Sequence, residues 1–139
     1  MGIPAKALDL LSRAKTIAVV GLSDDPARAS HGVSKYMMRQ GYHIIPVNPQ
    51  VQEVFGLPSY STLADIPAFT TVDIVNIFRR PEFVPEIVAQ AITRHVPCVW
   101  MQLGVVHEEA AERGREAGIL VVMDACIMVA HMGSRHQKD

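Results

Sequence analysis

The residues from Gly21 to Ser30 have the types and spacing of a phosphate-binding loop. A β-branched apolar run at residues 16–20 ends at Gly21, and helical sequence resumes near Ser30 after a polar stretch containing Ser23 and Arg28. A buried strand, a short loop and a helix N-terminus in that order present free backbone N–H groups and the positive end of a helix dipole. Arginine and serine side chains add donors that suit phosphate. We therefore predict that this stretch binds a nucleotide-type ligand.

A second group of donors follows another apolar run. Arg79 and Arg80 come directly after residues 73–78, which have the pattern of a buried strand ending at Phe78. The carboxyl ends of parallel strands share one edge of a sheet, and ligands bind at that edge where the strand order reverses. We expect Phe78 and Arg79 to face the Gly21 loop across such a crevice.

The absence of a dinucleotide fingerprint narrows the choice of nucleotide. NAD-binding domains carry GxGxxG and an acidic residue at the end of the second strand, which binds the ribose hydroxyls. Here the loop after the first strand contains one glycine, and the second strand ends in Val-Asn-Pro at residues 47–49. This disfavours NAD, while an NADP-like or 3′-phosphorylated adenosine stays open because nothing acidic at Asn48 repels an extra phosphate. Asp24 and Asp25 are expected to point outward.

The elements that must position these residues follow from periodicity. Helices are predicted at residues 4–14, 30–40, 82–94 and 108–117. Strands are predicted at 16–20, 43–47, 73–78, 96–101 and 119–123, with a short edge strand within 54–60. Within 43–47 the strand is expected to end at Pro46, because proline cannot donate a hydrogen bond to a neighbouring strand. Strands alternating with helices predict an α/β fold with a doubly wound, mostly parallel sheet of order 3-2-1-4-5-6 and helices on both faces. We expect a single domain over residues 1–139, with its core at 15–128 and a fraying tail at 133–139.

Composition limits the partners. The 139 residues carry a formal net charge of -1, which argues against binding to nucleic acid or to an anionic membrane surface. No apolar run reaches the ~18 residues of a membrane span, and no signal-type segment opens the chain, so we expect a cytoplasmic protein. Two cysteines and six scattered histidines offer no recognisable metal-ligand spacing. Nothing in the sequence supports a protein partner or a homodimer.

Several separate motifs in one order resemble a known family. They are Gly21-Leu22-Ser23, Pro46-Val47-Asn48-Pro49, Gly56-Leu57-Pro58-Ser59-Tyr60, Leu63-Ala64-Asp65-Ile66-Pro67, Phe78-Arg79, Trp100-Met101-Gln102-Leu103-Gly104-Val105 and Cys126. From about residue 15 to residue 128 the chain resembles the stand-alone CoA-binding proteins, which are related to the N-terminal domain of the succinyl-CoA synthetase α subunit. The resemblance implies a Rossmann-like fold that binds coenzyme A or an acyl-CoA.

The resemblance also implies which residues hold the ligand. Gly21, Leu22, Ser23, Arg28 and Ser30 would cradle the phosphates, Val47, Asn48 and Pro49 would border the adenosine, Phe78 and Arg79 would form the opposite wall, and Gln102 with Gly104 would lie near the pantetheine arm. The synthetase carries its phosphohistidine in a second domain that has no counterpart in these residues. We therefore expect CoA binding by a carrier or sensor without acid–CoA ligation and without a catalytic group.

Two alternatives come from other classes of function. One is an enzyme acting on CoA thioesters, with His107 or Cys126 taking part, since both follow predicted strands. We interpret His107 mainly as a helix-start surface residue, and His31 as a loop or ligand-contacting residue. Cys98 falls within a strand, whereas Cys126 follows the last strand on the ligand edge, where its thiol could form a mixed disulfide with CoA. The other alternative is an NAD(P)-binding redox-sensing domain.

Overall fold

A parallel five-stranded sheet forms the centre of the molecule in the computed structural model, which describes residues 2–138, with side chains through Ser134. Its strands are β1 (Thr16–Val20), β2 (His43–Val47), β5 (Ile74–Ile77), β6 (Cys98–Met101) and β7 (Leu120–Val122). They lie in the order β2-β1-β5-β6-β7. All four pairings between neighbours are parallel. The predicted α/β class is confirmed.

Five helices cover the sheet on both faces. They are α1 (Ala5–Arg13), α2 (Ala29–Arg39), α3 (Val84–Thr93), α4 (Glu108–Glu116) and α5 (Ile127–Lys138), with single 3₁₀ turns at Leu63–Asp65 and Pro81–Phe83. Successive strand residues point to opposite faces, so β1 buries Ala18 with the α3–α4 layer and Val19 with the α1–α2–α5 layer. Burial on both sides explains the continuous apolar runs of the strands.

The predicted strand order is wrong at one edge. The edge strand expected within residues 54–60 is instead a hairpin of β3 (Glu53–Val54) and β4 (Leu57–Pro58). Phe55 and Gly56 both have positive φ, 58° and 74°, and they reverse the chain after two residues. Only Tyr60 reaches the sheet, as one parallel bridge to Val47. The sheet therefore has five strands, in the order second, first, third, fourth, fifth along the chain.

The second strand was predicted to end at Pro46, but it continues past this proline. Pro46 lies in register with Val19, and β2 continues to Val47. The carbonyl of Pro46 accepts a hydrogen bond from the Tyr60 N–H on the outer side of β2. Because the N and C=O of one residue point to the same side of a strand, the missing N–H falls on this outer side and costs no bond to β1.

Helix α5 is the main element that the sequence did not predict. It begins at Ile127, which is fully buried, and continues through residues 133–138, where a fraying tail was expected. Gly133 in its middle weakens the helical pattern, because glycine is a poor helix former. The fraying stays a prediction, and Asp139 lies outside the described residues. Among residues 2–138, no helix is long and apolar enough to cross a membrane.

Candidate ligand cleft at the carboxyl edge of the sheet

The loops that follow β1 and β5 touch at Gly21. This residue has φ +91°, and a Cβ atom there would lie 2.7 Å from the carbonyl oxygen of Phe78 and 3.0 Å from Cδ of Arg79. Any other side chain would strain the backbone and push the two loops apart. In the sheet, β2 lies on one side of β1 and β5 lies on the other. The strand order therefore reverses at β1, and α/β sheets bind ligands at such a switch point. The contact at Gly21 lies there.

Hydrogen bonds within the loop after β1 fix its shape. The Ser23 N–H donates to Ser30 Oγ, and the Asp25 N–H donates to Ser23 Oγ, both over 3.0 Å. Asp25 itself accepts from the Ala27 N–H at 2.9 Å, and Leu22 anchors the loop by full burial. Because both serine oxygens act as acceptors, both hydroxyl protons stay available to a ligand.

Helix α2 opens onto this loop. Arg28 is its N-cap residue, with an exposed side chain that makes no capping bond, and the first i→i+4 bond runs from the Gly32 N–H to the Arg28 carbonyl. The His31 N–H also donates to the Arg28 carbonyl, at 3.1 Å, so the N–H groups of Ala29 and Ser30 are the ones without an acceptor within the helix. An open cleft of about 340 Å³ lies here, lined by Gly21, Ser23, Arg28, Ala29, Ser30 and Phe78. Asp24 and Asp25 are exposed and outside this lining.

A second cavity of about 180 Å³ lies beside Arg79. It is lined by Val20, Val47, Pro49, Ser61, Thr62, Leu63, Arg79, Phe83, Glu86, Ile87 and Gln90. The Arg79 guanidinium carbon lies 4.1 Å above the centre of the Phe83 ring. Among the side chains described through Ser134, none forms a hydrogen bond or ion pair with this guanidinium. Its five donors are therefore available at the rim of an apolar slot.

The side chain of Asn48 faces the protein, not the slot. Its Nδ2 donates to the Leu22 carbonyl at 3.0 Å, and its Oδ1 accepts from the Gln50 N–H at 2.9 Å. The Asn48 N–H bonds to Ser59 Oγ at 3.1 Å. The structure thus brings Val47 and Pro49 to the slot, while Asn48 ties the loop after β2 to the loop after β1.

The remaining predicted residues gather at the start of α5. The Gln102 side chain is 6% exposed, and its Oε1 accepts from Asn76 Nδ2 and from the Ile127 N–H, each at 3.3 Å. The Gly104 N–H donates to the Asp124 carboxylate at 2.7 Å. Part-buried Cys126 precedes α5, and its carbonyl accepts the Ala130 N–H. These residues lie beyond both cavities, along the same edge.

Sequence reasoning missed two residues that matter here. Phe83 was predicted only as part of the apolar stripe of a helix, although the Arg79 guanidinium stacks on its ring. Asn76 is the one polar residue in the apolar run of β5, and the sequence shows this. In the structure it is 1% exposed, and a buried amide is expected to be hydrogen-bonded.

The histidines have other positions. His107 is the N-cap of α4, where its Nδ1 accepts from the Ala110 N–H at 3.0 Å, in agreement with a helix-start residue. His31 stacks on Phe55 with ring centres 4.4 Å apart, which holds the β3–β4 hairpin against the first turn of α2. Within the part of the chain that is described, no three His, Cys, Asp or Glu side chains are grouped to hold a metal.

Comparison with known proteins identifies the family. The family model described as a CoA-binding domain matches residues 15–132. The chain belongs to this CoA-binding domain family. The family match covers the phosphate-type loop, the loop after β5 and the start of α5, and it confirms the resemblance found in the motifs.

Individual relatives are of two kinds. The chain is 48% identical over 130 residues to a Bacillus subtilis protein, YneT, covering 92% of this chain and 95% of that one. It is 30% identical over 115 residues to the α subunit of ADP-forming acetate–CoA ligase II from Pyrococcus furiosus, covering 82% of this chain but only 25% of that subunit. A solved Thermus thermophilus structure, ID.343, superposes with a TM-score of 0.87 at 39% identity, covering 93% of this chain and 96% of that one.

Proposed function

We propose that this protein binds coenzyme A or an acyl-CoA along the carboxyl edge of its sheet, as a carrier or sensor module without a catalytic group of its own. The observation that carries the proposal is the close approach of Gly21 to Phe78 and Arg79, because Gly21 and Phe78 line the open cleft and Arg79 lines the apolar slot. A ligand with a planar base, a diphosphate and a long flexible arm matches that arrangement. Membership of the CoA-binding domain family supports the same ligand.

The diphosphate is proposed to lie in the open cleft. The first turn of α2 and the hydroxyl protons of Ser23 and Ser30 supply donors there, and Arg28 adds a positive charge. No acidic side chain lines this cleft. Its lining therefore favours an anion over a cation or a neutral group.

The adenine is proposed to enter the slot. Val20 and Val47 give it apolar walls, and the Arg79 guanidinium, already stacked on Phe83, offers a second planar surface. Ser61, Thr62 and Gln90 supply polar groups for the edge of the base. From the cleft, the pantetheine arm then runs across the ends of β5 and β6 toward Gln102, Gly104 and Cys126.

Calorimetry with a panel of nucleotides tests the proposal. CoA, dephospho-CoA, NADP, NAD and ATP share an adenosine diphosphate or a close analogue. Differences between their affinities therefore report the contributions of the 3′-phosphate and of the pantetheine arm. We expect CoA to bind most tightly, with dephospho-CoA and ATP weaker. A clear preference for NAD over CoA would reject the proposal and favour the redox-sensing alternative.

A further inference from the structure

The side chains of Trp100 in β6 and of Gln102 just after it hold the start of α5. The Trp100 Nε1–H donates to the Ala125 carbonyl at 3.0 Å, and the Ile127 N–H donates to Gln102 Oε1 at 3.3 Å. These bonds hold the peptide groups on both sides of Cys126. The first turn of α5 is thereby placed over the carboxyl end of β6, next to the path proposed for the pantetheine arm.

The orientation of the Gln102 amide follows from its neighbours. The backbone N–H of Ile127 can only donate, so the atom facing it is the oxygen Oε1. Asn76 must likewise present its Nδ2, because this atom also donates to the carbonyl of Trp100 at 3.3 Å. With Oε1 accepting two hydrogen bonds inside the protein, Nε2 points away from both donors.

This nitrogen is an unused donor on an otherwise buried side chain. Nε2 of Gln102 has no hydrogen-bond acceptor among the side chains and backbone described through Ser134. In that same part of the chain, Ser34 Oγ is the only fully buried side-chain polar atom without a partner. Because Gln102 Nε2 also lacks a partner but is not fully buried, it is accessible at the surface. Yet only 6% of the residue is exposed. Gln102 therefore aims a single polar group at the carboxyl edge.

The neighbouring groups are donors too. The first main-chain bond of α5 runs from the Ala130 N–H to the Cys126 carbonyl, so the N–H groups of Met128 and Val129 have no acceptor within the helix. A donor amide beside the positive end of a 12-residue helix selects an acceptor oxygen with partial negative charge. The exposed side chains of Val129 and Leu103, 60% and 68% accessible, offer apolar surface on the adjoining elements.

We propose that Gln102 Nε2 and the first turn of α5 form the subsite for the thioester carbonyl of an acyl-CoA, so that the protein binds an acyl-CoA more tightly than free CoA. The inference rests on the proposed CoA cleft. β6 lies two strands from β1, about 10 Å across the sheet, a distance that the pantetheine arm spans from the diphosphate. The acyl group then lies beside the apolar surface of Val129.

The test compares two ligands that differ by one oxygen. Acetyl-CoA carries the thioester carbonyl, and S-ethyl-CoA is the thioether of the same length without it. By calorimetry the wild-type protein should bind acetyl-CoA about three- to tenfold more tightly, which is the range of one neutral hydrogen bond. Gln102→Met should reduce that ratio to about one, with acetyl-CoA losing more affinity than S-ethyl-CoA.

A second variant separates the proposed contact from support of α5. Gln102→Glu keeps an acceptor for Asn76 and the Ile127 N–H but replaces the free donor by a second oxygen. Acetyl-CoA should then bind more weakly than S-ethyl-CoA, because two acceptor oxygens face each other. In infrared difference spectra, the carbonyl stretch of ¹³C-labelled acetyl-CoA should move to lower frequency on binding to the wild-type protein and not on binding to Gln102→Met.

The outcomes distinguish the two proposals. If neither CoA nor either analogue binds, the proposed function fails and the subsite fails with it. If all three bind with equal affinity, or if Gln102→Met weakens them by the same factor, the carbonyl subsite is overturned while the CoA cleft stands. Equal weakening would mean that the amide contacts the pantetheine arm, which is common to all three ligands.

Discussion

Arg94 at the amino end of the sheet and Arg79 at the carboxyl end differ in whether their guanidinium groups have hydrogen-bond partners. At the amino end, the Arg94 guanidinium donates to four backbone carbonyls at 2.7 to 3.4 Å, those of Leu63, Ile66, Pro67 and Thr70. At the carboxyl end, Arg79 only stacks on Phe83. Arg94 thus closes a loop of the protein, whereas Arg79 keeps its donors for something else. Unpaired donors, and not charge alone, distinguish the two arginines.

Cavity size does not make that distinction. The amino end holds a larger cavity, about 430 Å³, near Leu11 and Tyr42, against about 340 and 180 Å³ at the carboxyl end. Two of the rings that line it are already bonded, however: Tyr42 donates to the Leu11 carbonyl, and His131 shares a hydrogen bond with Tyr36. Burial raises the pKa of Tyr42, with a further rise from Tyr36, so this phenol stays protonated. We expect substitutions at this end to change folding and those at the other to change ligand binding.

The largest effect on folding is expected for Arg94→Met. Four carbonyls lose their donor, and we expect the free energy of unfolding to fall by about 3 kcal/mol in urea denaturation. The affinity for CoA should change little, because Leu63 is the one acceptor of the four that lines the slot and its bond to Arg94 is the longest, at 3.4 Å. A loss below 1 kcal/mol, or a loss of CoA affinity in folded protein, would contradict the assignment of Arg94 to structure alone.

The next largest effect is expected for Gly21→Ala. The positive φ and the 2.7 Å approach to the Phe78 carbonyl should together cost about 2 kcal/mol of stability and at least tenfold in CoA affinity. Gly41→Ala is the matched control, because Gly41 has φ +100° with no atom within 4 Å of the added Cβ. The control should lose about 1 kcal/mol of stability and no affinity. Equal affinity losses in both variants would show that backbone strain, and not the loop contact, shapes the cleft.

A smaller and more selective effect is expected for Arg79→Gln. Loss of the free guanidinium should weaken CoA binding about tenfold, or 1.4 kcal/mol, with little change in thermal stability. Arg80→Gln serves as the control, because that side chain is 79% exposed and lies 5.8 Å from the Phe83 ring. If both variants bind CoA equally well, Arg79 does not line the binding site.

The smallest effect is expected for Cys98→Ala, on the pH dependence of stability. Burial raises the pKa of Cys98, at the amino end of β6, to about 12. The folded state therefore keeps this thiol protonated while the unfolded chain loses its proton near pH 9, so stability is full below pH 9 and falls between about pH 9 and 12. From pH 8 to pH 9.5 the wild-type protein should lose about 0.8 kcal/mol more than Cys98→Ala. An identical pH dependence of stability in Cys98→Ala and in the wild-type protein would disprove the assignment.

Local sequence patterns predicted most of the fold. The strands at Thr16–Val20 and Ile74–Ile77 and the helices α2 and α4 were predicted to within a few residues, because the strands are continuous apolar runs and the helices are followed by Gly41 and Gly118, which suit the left-handed end of a helix. The β3–β4 hairpin was missed because its turn places Phe55 at positive φ, a conformation that bulky residues rarely adopt. Helix α5 was missed because its buried residues face Trp100 and its neighbours, a partner surface that periodicity cannot show.

The candidate site was predicted less completely than the fold. Gly21, Phe78 and Arg79 meet as expected, since strand ends in a parallel sheet share one edge. The roles of Asn48 and Gln102 could not be predicted, because an amide can equally face a ligand or a backbone group. Cytoplasmic location, and each residue's contact with CoA, stay predictions.

By itself the sequence determined the α/β class, the family and the loops that end at the carboxyl edge, because these depend on local periodicity and on motifs within single segments. The tertiary structure decided the five-strand order, the inward turn of Asn48 and the free nitrogen of Gln102. These last features depend on partners 25 or 26 residues away, such as Leu22 for Asn48 and Ile127 for Gln102. A side chain's hydrogen-bond partner is set by the packing of whole elements, which no short stretch of sequence encodes.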